Sequence, residues 1–115
     1  MLYSSGRLAL FMSVQPVLGE HLNTHTDETI AVLAKHLAKC GLPANCELSF
    51  ERNRTIEGLP RAGVMVVLPE DQSTIGGLNA AIAALYKSNQ LNIFATKPII
   101  AGRFSASTND FVWSF

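Results

Sequence analysis

The chain has 115 residues, nine basic and nine acidic side chains that cancel to zero formal charge, and 48% apolar residues. That is the size of one domain, residues 1–115, with enough apolar content for a packed core, so a disordered chain is excluded. The neutral balance argues against an electrostatic footprint for nucleic acid or an anionic membrane, and no apolar run nears the roughly 18 residues of a membrane-spanning helix.

Residues 8–14 (LALFMSV) are apolar on both alternating faces, as are residues 64–68 (VMVVL). Strands of this kind sit centrally and are buried from both sides. Between them, residues 16–26 read as a long loop. A helix is expected near residues 29–40, with start signals at Thr24 and Thr26 and Asp27 and Glu28 in its first turn. Its apolar stripe is Ile30, Leu33, Ala34, Leu37 and Ala38, and Gly41 and Pro43 stop it. Residues 46–51 alternate strictly, with Glu47, Ser49 and Glu51 on one wet face, which predicts a strand nearer an edge. After residues 64–68, a second helix is expected over residues 73–88, capped by Ser73 or Thr74, with Ile75, Leu78, Ile82, Leu85 and Tyr86 as its stripe. Residues 93–104 read as extended, and the aromatic tail 109–115 as a further short strand.

Strand, helix and strand therefore occur twice. The expected fold class is α+β: duplicated β-α-β units forming a four-stranded mixed sheet with two helices on one face, plus a short C-terminal strand. Two helices cover one face of such a sheet, yet the central strands are apolar on both. Charged residues are only 16%, against about a quarter in an average domain. Together these predict a homo-oligomer, a trimer first and a dimer second, that buries the other face.

Arg7 and the short apolar run after it do not make a signal peptide, since Pro16 follows and no small-x-small cleavage site comes next. A cytoplasmic chain with Cys40 and Cys46 as free thiols is expected. Glu20, His21 and His25 share the 16–26 loop; His-x3-His on a helix would place two imidazoles on one face for a metal, but the local pattern is loop, so a solvated loop is the plainer reading. His36, Cys40 and Cys46 bring three soft ligands near one helix end but lack a fourth, so no metal is expected. Residues 69–77 run into a helix N-terminus where Ser73, Thr74, Gly76 and Gly77 would let an anion approach, but no G-x-G-x-x-G or G-x-x-x-x-G-K pattern is present; N-capping with close backbone packing is the favoured reading, and no cofactor is implied. Residues 51–61 are the most charged stretch; a hairpin tip that grips phosphate or a carboxylate is one reading, but the mixed signs with Gly58 and Pro60 favour an ordinary solvated loop.

Four stretches resemble the tautomerase superfamily, the group typified by macrophage migration inhibitory factor. They are the helix 26–42 with its Gly41-Leu42-Pro43 turn, the strand 62–68, the helix 78–91, and the tail Trp113-Ser114-Phe115. The resemblance implies a β-α-β duplication packed as a trimer, with a pocket near the start of the first strand at a subunit boundary. Family catalysis rests on an N-terminal proline amine, whereas here residue 2 is Leu and the first proline is Pro16. The expected function is therefore an oligomeric protein of this type without the catalytic proline, binding a small oxo acid or other carboxylate through Arg7 and Arg103, which stand at strand ends. The bland alternative for both arginines is pairing with a surface Glu or Asp. The alternative function is a non-catalytic oligomeric protein-interaction or regulatory module with a ferredoxin-like α+β fold.

Overall fold

Interleaving, not simple succession, organises the strands. The computed structural model describes residues 6–43, 45–56, 58–87 and 94–112, with side chains for all of these except Gln72 and residues 94–98. In chain order the elements are β1 (Arg7–Val14), α1 (Pro16–Thr24), α2 (Thr26–Lys39), β2 (Glu47–Ile56), β3 (Leu59–Val67), a 3₁₀ turn (Glu70–Gln72), α3 (Ile75–Lys87), β4 (Phe94–Ser105) and β5 (Asp110–Val112). The sheet order is β2-β3-β1-β4-β5, and every neighbouring pair is antiparallel.

The expected four-stranded mixed sheet with two helices is thus corrected to a five-stranded antiparallel sheet with three α-helices among the described residues. The reason is that each strand–helix–strand unit is split. β1 and β2 run parallel but β3 lies between them; β3 and β4 run parallel but β1 lies between them. Apolar patterning marks a strand as central but does not say which strand fills the gap beside it. The central placement of β1 and β3 and the edge placement of β2 agree with their patterns.

The third helix is α1, where the sequence reads as loop. Pro16 sits in its first turn, where a missing N–H costs nothing. Leu18 and Leu22 point inward, and Leu22 is fully buried. At His25 the chain bends out of helical geometry (φ −135°, ψ 58°) and α2 begins. Helix α2 ends in a Schellman motif. Leu42 N–H donates to Leu37 O (3.1 Å) and Gly41 N–H to Ala38 O (3.2 Å), with Gly41 at φ 112°. Helix α3 is capped by Thr74, whose Oγ1 accepts the Gly77 N–H at 3.0 Å.

All three helices pack on one face of the sheet. There Leu8, Leu10 and Met12 of β1 and Val64 and Val66 of β3 meet Leu22, Leu33, Leu37, Leu78 and Leu85. The helix stripes are narrower than the sequence suggests: Ala34, Ala38, Ile75 and Tyr86 are exposed.

The opposite face holds a second apolar cluster of Ala9, Phe11, Ile56, Met65 and Val67, with Ile100, Phe104 and Phe111 against it. Phe11 and Met65 are fully buried there within the single chain. What covers them is the sheet itself, curled into a half-barrel. Residues 51–61, read from the sequence as a solvated loop, belong largely to a long β2–β3 hairpin. A bulge between Glu51 and Arg54 breaks its register and bends it over the concave face. Gly63, opposite both Glu51 and Ser13, permits the bend. A Cβ there would strike the Met12 carbonyl oxygen and lie 2.6 Å from the Phe11 ring.

These assignments fix the outcome of three substitutions. Leu37→Ala and Leu85→Ala should each cost ~2–5 kcal/mol by leaving cavities in the helix-side core. Gly63→Ala should cost ~1–3 kcal/mol by overpacking the concave side. Urea unfolding curves of the three variants check both figures.

Candidate functional site

Arg7 opens β1 and leaves the sheet on its concave face, in register with Phe104 of β4. Leu68 lies one residue beyond β3; its N–H donates to Leu8 O at 3.0 Å. The Leu68 carbonyl then accepts two bonds from Arg7, from Nε at 3.0 Å and from Nη2 at 2.6 Å. This forked grip fixes the guanidinium plane. The remaining nitrogen, Nη1, donates to Glu47 Oε2 at 2.9 Å. The Arg7 side chain is 32% exposed and that of Glu47 69% exposed.

Arg7 and Glu47 form one side of a cleft of about 240 Å³ at this end of the half-barrel. Val67 and Phe104 form its floor, and Ser105 at the end of β4 and Ser107 in the turn that follows close the other side. The two serine hydroxyls lie 3.2 Å apart. The cleft thus offers a cation, two hydroxyls that donate or accept, and an apolar floor, the minimum set for holding a small anion with an apolar body.

Arg103, the other arginine expected at a ligand site, does not join Arg7. It lies opposite Leu8 in the β1–β4 register, so its side chain leaves the helix-covered face, and its Nη1 donates to Gly6 O at 3.2 Å. Arg7 itself combines the two readings of the sequence, since it is paired with a surface glutamate and also lines a cleft. Ser105, Ser107 and Glu47 were not singled out as binding residues. The run Ser105-Ala106-Ser107-Thr108-Asn109 directly after an extended segment is a turn signal that marks the first two.

The remaining candidates resolve into packing. His21 lies on α1 and His25 between α1 and α2, where both border a shallow groove of about 500 Å³ with Leu18, Glu28 and Val32. His25 Nδ1 is 2.9 Å from Thr24 Oγ1. Among the described residues no group of three or more His, Cys, Asp or Glu side chains is placed to hold a metal ion. Cys40 is buried, Cys46 is half-buried, and neither forms a disulfide. Ser73 Oγ accepts the Leu8 N–H at 2.9 Å, so it ties the approach to α3 to the start of β1. Residues 1–5 and the tail 113–115 lie outside the described residues.

No protein-family model, curated protein or solved structure matches the chain. The resemblance to the tautomerase superfamily therefore rests on the quoted residues alone. No helix among the described residues is long and apolar enough to cross a membrane.

Cys46 precedes β2 beside the Arg7 end of the cleft. Burial pushes its thiol above the ordinary value, and the positive charge of Arg7 pulls the other way. Alkylation of Cys46, followed by peptide mass mapping as pH rises, should show a midpoint above that of an exposed thiol. In Arg7→Ala the midpoint should move higher still, because the opposing charge is gone.

Proposed function

We propose that the protein binds a small carboxylate, of the size of a short oxo acid, in the cleft at the Arg7 end of the half-barrel. The observation that carries this reading is the state of Arg7. Two of its nitrogens are committed to a backbone carbonyl, and the third already holds a carboxylate that sits on a mostly exposed side chain. An exposed ion pair of this type contributes only ~0–1 kcal/mol, whereas a hydrogen bond to a charged group in a more sheltered site contributes ~1.5–3 kcal/mol. Glu47 is therefore a displaceable internal ligand, and the group that replaces it has its shape and charge.

The volume supports a small occupant, being below the range of roughly 300–1,000 Å³ typical of sites for drug-sized molecules. Phe104 and Val67 suit a short apolar body, and the Ser105 and Ser107 hydroxyls suit an oxo or hydroxyl oxygen beside the carboxylate. The reading concerns recognition and asks for no catalytic step.

Isothermal titration with pyruvate, oxaloacetate and acetate tests it. Arg7→Ala should weaken binding by about tenfold or more, the loss of roughly one charged contact. Glu47→Gln should tighten binding, because the competing internal carboxylate loses its charge. Equal affinity in the wild type and both variants would remove the proposed site.

A further inference from the structure

We infer that Arg54 is the positioning residue of this cleft, holding the turn that forms its serine wall; the inference rests on the carboxylate-binding reading above. Residues 106–109 connect β4 to β5, and β5 is only three residues long, pairing Asp110, Phe111 and Val112 with Ser105, Phe104 and Arg103. A two-stranded extension of that length does not hold its own turn rigidly. The turn has no proline or glycine, and Asn109 stands at φ 59°, a left-handed conformation that asparagine tolerates better than most residues.

The support comes from the far edge of the sheet. Arg54 of β2 donates through Nη1 to Asn109 O (3.1 Å) and through Nη2 to Asn109 Oδ1 (3.0 Å). Nη2 also donates to Glu51 Oε2 at 3.0 Å, which orients the guanidinium from its own strand. The same group lies 5.6 Å from the centre of the Phe104 ring, the floor of the cleft. One side chain thus touches the floor and holds the turn that follows Ser105 and carries Ser107, without lining the cleft itself. The Arg54 side chain is only 11% exposed, so its geometry is held by packing. A planar fork suits this work: it reaches the backbone and side-chain oxygens of one asparagine together, which a lysine ammonium does not reproduce.

The experiment compares wild type, Arg54→Lys and Asn109→Gly, with Arg7→Ala as a control for the anchor. Arg54→Lys keeps a positive charge beside Glu51 but loses the fork. Asn109→Gly keeps the left-handed backbone and loses only Oδ1. Pyruvate affinity should fall by about tenfold in Arg54→Lys and by a smaller factor in Asn109→Gly. The double variant should bind no more weakly than Arg54→Lys, since both changes break one contact. Hydrogen exchange should accelerate at the amides of residues 105–110 in both variants and stay unchanged in β1. A folded Arg54→Lys protein with wild-type affinity and exchange would overturn the inference while leaving the Arg7 site standing. Absence of pyruvate binding in the wild type would overturn both. Should Arg54→Lys fail to fold, Asn109→Gly decides alone, since residue 109 is exposed; unchanged affinity and exchange there would overturn the inference.

Discussion

In a flat sheet, β2 and β4 stand three strand spacings apart, ~14 Å. Arg54 of β2 nevertheless bonds the turn that follows β4, at 3.0 and 3.1 Å. That contact exists only because the sheet curls, and the curl lets one chain bury both faces of its own central strands. The apolar side chains supply the free energy. Phe11, Met65 and Ile56 are at most 1% exposed, and burying each contributes ~1.5–3 kcal/mol. Arg54 contributes differently. Its ion pair with Glu51 is largely buried, at 11% and 19% side-chain exposure, and the desolvation of two charges offsets much of their attraction. Its Nε has no hydrogen-bond partner among the described residues, which adds to the cost. The ion pair itself therefore adds little net stability, while the bonds of Arg54 to Asn109 span the curl.

The curl also makes the cleft. Glu47 is on β2 and Arg7 on β1, with β3 between them, so two strand spacings, ~10 Å, separate their backbones in a flat sheet. Their side chains meet at 2.9 Å on the concave side. The bulge before Arg54, the missing side chain at Gly63 and the apolar filling of the concave face are thus as much a part of the site as the residues that line it. Removing the curl would separate the carboxylate from the guanidinium without touching either.

Much of this frame was legible in the residues. Two-sided apolarity placed β1 and β3 centrally, strict alternation placed β2 at an edge, and the Gly41 and Thr74 signals marked a helix end and a helix start. The curl was not legible, because it comes from the stretch 51–61, whose charges suggested solvent. Alternation inside a bent hairpin divides those charges: Glu51 and Arg54 turn to the concave side, while Arg52 lies over Phe50 and bonds Asn23 Oδ1 at 2.9 Å. With that stretch taken as a loop, the cover that the chain itself gives its second apolar face was not visible. Helix α1 was hidden for another reason. Only Leu22 within it is fully buried, so its periodic signal is thin. The unusual length of the supposed loop was itself the sign of an unassigned element.

Side-chain parity explains why Arg7 reached the cleft and Arg103 did not. Both stand at strand ends, and strand ends do gather there. A one-residue difference in register exchanges the faces of a strand. Arg7 pairs with Phe104 and shares the concave face; Arg103 pairs with Leu8 and shares the helix face. From sequence the register of β1 against β4 was free, so the two arginines looked equivalent. Register also separates the two halves of the cleft mechanically. The anchor depends on Leu68, whose carbonyl is available because β3 ends at Val67. The wall depends on Arg54 and Asn109, whose hydrogen bonds join them to each other and Arg54 to Glu51. Changes in the wall therefore leave the bonds of Arg7 to Leu68 and Glu47 in place. On the proposed carboxylate-binding reading, the arginine would set the class of ligand and the turn which member of the class fits.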